Sequence, residues 1–194
     1  AGATGSRTLN LASSTFTCVG TSGATMSWQV ETTTYAFNLN AGTSTIVLSE
    51  AYSGSSTQDF IGGGKTYYNL RYTGGEPSTI FGNNTFAQIS NTTQPITISF
   101  EAGSTQTVGN FALSGTSGNL VTLNSATPGS QFNLINPTGS NVNVSYCSIT
   151  DSAASPNGYW YAFTANGNVD GGNNTGWVFS GNAPAGNGFL MFFS

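Results

Sequence analysis

The chain has 194 residues, of which 5% are charged, and seven acidic against three basic side chains give a net charge of −4. That length suits one domain or a domain with a small appendix, and 37% hydrophobic content with 13 Phe, 8 Tyr and 3 Trp allows a core and excludes charge-driven disorder. The bases do not cluster, which argues against nucleic acid, whose phosphates require several Lys or Arg, and no run approaches the ~20 apolar residues of a membrane insertion.

The remainder is rich in Ser, Thr, Asn and Gly, which suit short strands and tight turns. Helix formers such as Leu, Lys, Glu and Arg are scarce. In chain order, strand-like runs fall at 9–11, 16–19, 26–30, 35–39, 46–48, 67–72, 86–89 and 96–100. They continue at 111–113, 120–123, 132–135, 142–149, 159–163, 177–179 and 189–193. Their spacing of roughly 8–12 residues is that of an all-β chain.

The connections resemble one another. "LNAGTSTIVL" (39–48), "FEAGSTQTV" (100–108) and "LSGTSGNLVTL" (113–123) share an apolar strand end, a small residue, Gly and hydroxyl residues. "LASSTFTC" (11–18) is a fourth copy without Gly. Gly permits positive φ, and Ser or Thr bonds to the turned backbone. Gly42, Gly103 and Gly115 are therefore expected at equivalent bends. "GGGK" at 62–65 lacks the context of a phosphate loop and reads as a turn.

Two-residue hairpin signals such as Asn-Gly are rare before residue 150. The fold class expected is therefore all-β, a parallel β-helix or solenoid, with a β-sandwich or jelly roll as the alternative. Winding three short strands per coil places every fourth strand above the first. The expected organisation is a solenoid body over 1–150 and a cap or subunit-interface segment over 151–194, where aromatics, Gly and Asn increase. "FLMFF" ends that segment: Phe189, Leu190, Met191, Phe192 and Phe193 are apolar without alternation. A strand of that kind is covered on both faces, so self-association with a second copy or a filament neighbour is expected there.

Cys18 and Cys147 both lie in strand-like runs. They read as a long-range disulfide of an oxidising compartment or as two separate buried thiols, and the second is favoured. Asn83, Asn91, Asn143 and Asn173 open Asn-x-Ser/Thr sequons, relevant only in a glycosylating host. The opening "AGATGSRTLN" has no Met and no leader-like core, which fits a removed leader or a piece of a longer chain.

The sequence holds no histidine, which removes Ser-His-Asp and Cys-His catalysis. Glycosidases need two adjacent carboxylates, and the acids Glu31, Glu50, Asp59, Glu76, Glu101, Asp151 and Asp170 are dispersed. No catalytic residue and no cofactor is expected. In "VDGGNNTGW", Asp170, Asn173 and Asn174 are candidate oxygen ligands for calcium, against the reading of a Gly/Asn turn. In "YWYAF", Tyr159 and Tyr161 share one strand face with Trp160 on the other. With Trp177, these are candidates for stacking on sugar rings, against the reading of core aromatics.

"GNNTFAQISNTT", "ITISFEAGSTQTVGNFALSGTSGNLVTLNSATPGSQ", "NVSYCSITDSAAS" and "VDGGNNTGWVF" resemble a recurrent module of uncharacterised extracellular and phage-associated β-helix proteins, over about residues 60–180. The resemblance implies a structural or adhesive role and no catalytic residues. The expectation is a non-enzymatic, self-associating structural protein of an extracellular fibre, virion appendage or cell-surface filament. The alternative is a carbohydrate-binding or carbohydrate-cleaving receptor module at a phage tail-fibre tip. Surface glycans are a further candidate partner.

Overall fold

The computed structural model describes residues 6–19, 26–30, 36–49 and 57–181. Their strands are β1 (Ser6–Asn10), β2 (Thr15–Val19), β3 (Met26–Gln29), β4 (Ala36–Asn40), β5 (Thr45–Ser49), β6 (Gln58–Ile61) and β7 (Thr66–Tyr72). β8 (Ser78–Phe81), β9 (Asn84–Asn91), β10 (Ile96–Phe100), β11 (Thr105–Ala112), β12 (Val121–Ser125) and β13 (Phe132–Ile135) follow. The last are β14 (Val142–Asn143), β15 (Cys147–Ile149), β16 (Ser152–Ser155), β17 (Trp160–Tyr161), β18 (Val169–Asp170) and β19 (Trp177–Val178). A 3-10 turn, Thr164–Asn166, precedes β18.

The strands form two seven-stranded parallel sheets. Sheet I has the order β16-β13-β11-β9-β7-β5-β2, and sheet II the order β18-β15-β12-β10-β8-β6-β3. From β5 to β13 the chain alternates strictly between them, so each strand pairs with the one two places on. Phe86 of β9, for example, lies between Tyr67 and Val108. From β12 onward a third, small sheet joins (β14-β17-β19), and the period becomes three: β12, β15 and β18 stack in sheet II. β1 and β4 make a separate parallel pair. All pairs of described strands are parallel. This is a correction to the sandwich or jelly-roll alternative, which requires antiparallel neighbours.

Alternation explains the packing. In β10, Ile96, Ile98 and Phe100 are buried while Thr97 and Ser99 are only half-buried. The inner rows of both sheets meet in one core. Phe100 of sheet II stacks on Phe132 of sheet I at 4.2 Å between ring centres, and Phe60 packs edge-on against Tyr67 at 4.9 Å. Burying such a side chain contributes about 1.5–3 kcal/mol. Parallel sheets are ordinarily covered on both faces; here Thr, Ser and Asn fill the outer rows and hydrogen-bond along them, as Ser99 Oγ does to Asn124 Oδ1 at 2.7 Å.

The lead-in to sheet I is one corner, repeated. Residues 11–14, 41–44, 62–65 and 101–104 each close with a bond from the fourth amide to the first carbonyl, at 3.0–3.3 Å. Every lead-in contains a left-handed residue: Ala12, Gly42, Gly63, Gly82, Gly103, Gly129 and Asp151; Asn173 takes the same conformation ahead of β19 of the third sheet. Two of the three expected bends, Gly42 and Gly103, belong to this series. Gly115 does not, and corrects the expectation. It lies between β11 and β12, on the way out of sheet I, and has no positive φ. It is glycine for room: a Cβ there would come within 2.4 Å of the Tyr146 carbonyl oxygen.

The run expected over 142–149 is two strands in different sheets, because Tyr146 adopts φ 53° and turns the chain between β14 and β15. Both large sheets continue past residue 150, through β16 and β18. Residues 189–193, the expected self-association run, lie outside the described residues. Cys18, half-buried on β2, and Cys147, buried on β15, are both free thiols.

Candidate functional site

The aromatic candidates divide by burial. Trp160 is fully enclosed, donating from Nε1 to the Ser155 carbonyl at 2.9 Å and packing edge-on against Trp177 and Phe111. Trp177, half-buried, donates from Nε1 to Ser152 Oγ at 3.0 Å. Tyr161 stacks on the buried Phe163. Tyr159 remains well exposed at 42%. Parallel pairing of β17 with β14 and β19 turns Trp160 inward and leaves its neighbours outside or at the margin.

In the 170–174 loop, the candidate cation ligands are bound up in local structure. Asp170 Oδ1 accepts from the Gly172 amide at 3.0 Å and from Asn174 Nδ2 at 2.7 Å. Asn174 Oδ1 caps the Ser152 amide, and its Nδ2 donates to the Ile149 carbonyl. Asn173 Nδ2 donates to Asp151 Oδ1. Among the described residues, no group of three or more His, Cys, Asp or Glu side chains is placed to hold a metal.

Two further acids, Glu101 and Asp151, accept from backbone amides. Glu101 Oε2 accepts from Gly82 N at 2.7 Å, and Asp151 Oδ2 from Gly129 N at 2.9 Å. Burial pushes the Asp59 carboxyl up, countered by a hydrogen bond with the Thr79 backbone. Glu31 and Glu50 lie outside the described residues. Of the sequon asparagines, Asn143 is exposed. Asn83 Oδ1 accepts from Thr105 N, and half-buried Asn91 uses both amide atoms on Thr93 and Ser114.

Among the described residues, a concavity lies elsewhere. A groove of about 520 Å³ crosses the outer face of sheet I over β7, β9 and β11. It forms where those strands bend. Along β7 the buried side chains are Tyr67, Leu70 and Tyr72; along β9 they are Asn84, Phe86 and Ile89; along β11 they are Gln106, Val108 and Phe111. The alternation slips by one residue in each, at the level of Tyr68, Ala87 and Gly109. Exposed Tyr68 and the small Ala87 and Gly109 form the floor, with Leu39 at one end and Pro137 at the other. A second, more polar cavity of about 390 Å³ adjoins it at Gly109 and is lined by Asn110, Ser114 and Asn143 among others. Sequence reasoning missed this groove because a slip in alternation over three strands is visible only once their register is known.

No family model, curated protein or solved structure matches the chain.

Proposed function

We propose that this chain is a structural β-solenoid: a rod-like, self-associating element of an extracellular fibre, virion appendage or cell-surface filament. The observation that carries the reading is the alternation of the strands from β5 to β13 between two parallel sheets around one apolar interior. Closing each pair of strands through its connections makes a coil, and stacked coils make a stiff rod whose contacts are mainly with the neighbouring coil. The outer rows of Thr, Ser and Asn suit a surface that stays hydrated with 5% charged residues. Glu101, Asp151 and Asp170 each accept from a turn amide, which favours a scaffold over a hydrolase. The resemblance to extracellular and phage-associated β-helix modules points the same way.

Self-association rests on the run at 189–193. Leaving such a run in water invites aggregation, and a second copy is the simplest cover. Deleting residues 189–194 tests this by light scattering and circular dichroism. Loss of the assembly with β-structure retained supports the reading; a full-length chain that is monomeric at all concentrations, or global unfolding of the deletion variant, contradicts it.

A further inference from the structure

We infer that the groove over β7, β9 and β11 is a binding site for a neutral, extended polysaccharide chain. Among the described residues, none of the side chains lining it or the adjoining cavity carries a charge. A charged ligand would lose hydration there without a partner. The lining instead offers an aromatic face at Tyr68, hydroxyls at Thr66 and Thr85, and amides at Asn110 and Asn143. A sugar ring needs that combination: an apolar face for its C–H groups and hydrogen-bonding groups at its rim.

A peptide strand is disfavoured by the backbone. A peptide binds such a sheet by adding to a free edge. β9, at the centre of the groove, has a parallel neighbour on each side, and the groove-lining parts of β7 and β11 are both paired with it. At its centre the floor therefore presents side chains, with the β9 backbone committed to the ladder.

The dimensions fit a chain. From the 41–44 corner across β7, β9 and β11 to Pro137 is four strand spacings, about 19 Å at ~4.8 Å each. The repeat of an extended pyranose chain is close to that spacing, so successive sugars would meet successive strands. Small residues keep the path open. At Gly109 a Cβ would already sit 3.0 Å from the Ala87 carbonyl oxygen.

The inference is independent of self-association, since the groove lies within the body of the sheets. Isothermal titration of the full chain would use neutral linear hexasaccharides of glucose, galactose, mannose and N-acetylglucosamine, with a hyaluronan hexasaccharide and a neutral Gly-Ser-Thr peptide as counterparts. Expected is binding of at least one neutral sugar, weakened roughly tenfold or more by Tyr68→Ala. Ala87→Arg, which fills the groove from its floor, abolishes it, and Tyr159→Ala, at an exposed aromatic outside the groove, leaves it unchanged. No binding across the neutral panel, equal binding by Tyr68→Ala, or preference for hyaluronan or the peptide would overturn the inference.

Discussion

Asn173 donates from Nδ2 to Asp151 Oδ1 at 2.6 Å, and both residues hold left-handed backbone, with φ 53° and 58°. With Gly129, whose amide bonds to Asp151 Oδ2, they occupy the same corner on successive turns of the chain. Asp and Asn tolerate that conformation better than other side chains that carry a Cβ, and here their side chains also tie one turn to the next. Asp151→Ala leaves the Gly129 amide and the Asn173 side chain without their acceptor. We expect a loss of about 2–3 kcal/mol by urea denaturation, against about 1 kcal/mol for Asp151→Asn. Equal, small effects would show that the corner does not couple the turns.

Gly42 and Gly103 have similar φ, 55° and 74°, but different surroundings. A Cβ on Gly42 would lie 2.2 Å from the Ala12 carbonyl oxygen, whereas one on Gly103 meets nothing within 4 Å. Gly103→Ala should therefore cost only the left-handed penalty, about 1–2 kcal/mol. Gly42→Ala must also displace backbone and should cost clearly more. Matching thermal shifts for the two variants would contradict the stacking of 41–44 on 11–14.

Gln58 is buried at the start of β6, and neither of its amide atoms has a hydrogen-bond partner. Such a group carries its desolvation cost without return. Gln58→Met, of similar shape, should be neutral or stabilise the fold by about 1 kcal/mol. A loss of more than about 1 kcal/mol in the denaturation midpoint would show that the amide is satisfied.

Burial pushes the Tyr67 hydroxyl up to about 12 and the Cys147 thiol up to about 12. Both are neutral acids whose folded values exceed their unfolded ones, near 10 and 8.5. Their contribution is complete below the unfolded values and is lost as pH rises toward 12, by about 1.4 kcal/mol per pH unit and group. Stability should fall above pH ~9, less steeply in Tyr67→Phe. The Cys147 thiol should react with a disulfide reagent only after unfolding. A flat profile to pH ~11 would contradict this.

Much of the strand pattern was legible because bulky apolar residues mark the inward rows. The strands missed were β6, β8, β16 and β18, whose sequences QDFI, STIF, SAAS and VD contain few such residues. β16 packs inward with Ser152 and Ala154 alone, opposite Phe132 and Leu134. The repeated corner was legible where glycine marked it and in "LASSTFTC" around Ala12, and hidden where Asp151 and Asn173 took the same conformation. Gly115 misled because its neighbours read Gly-Thr-Ser while its role is close packing. The aromatics of 159–163 were ambiguous because strand alternation alone does not say which face is inside.

The proposed solenoid is tested most directly by a distance along the stack of parallel strands. Thr17, Val47, Arg71, Ser90 and Ala112 stand in one register row on β2, β5, β7, β9 and β11. Spin labels on Thr17→Cys and Ala112→Cys, with Cys18→Ser to remove the half-buried thiol, should lie four strand spacings apart, about 19 Å between backbones. A single narrow pulsed-resonance distance distribution consistent with that spacing is expected. A broad distribution, or one centred far from it, would contradict the parallel stack on which the structural role rests.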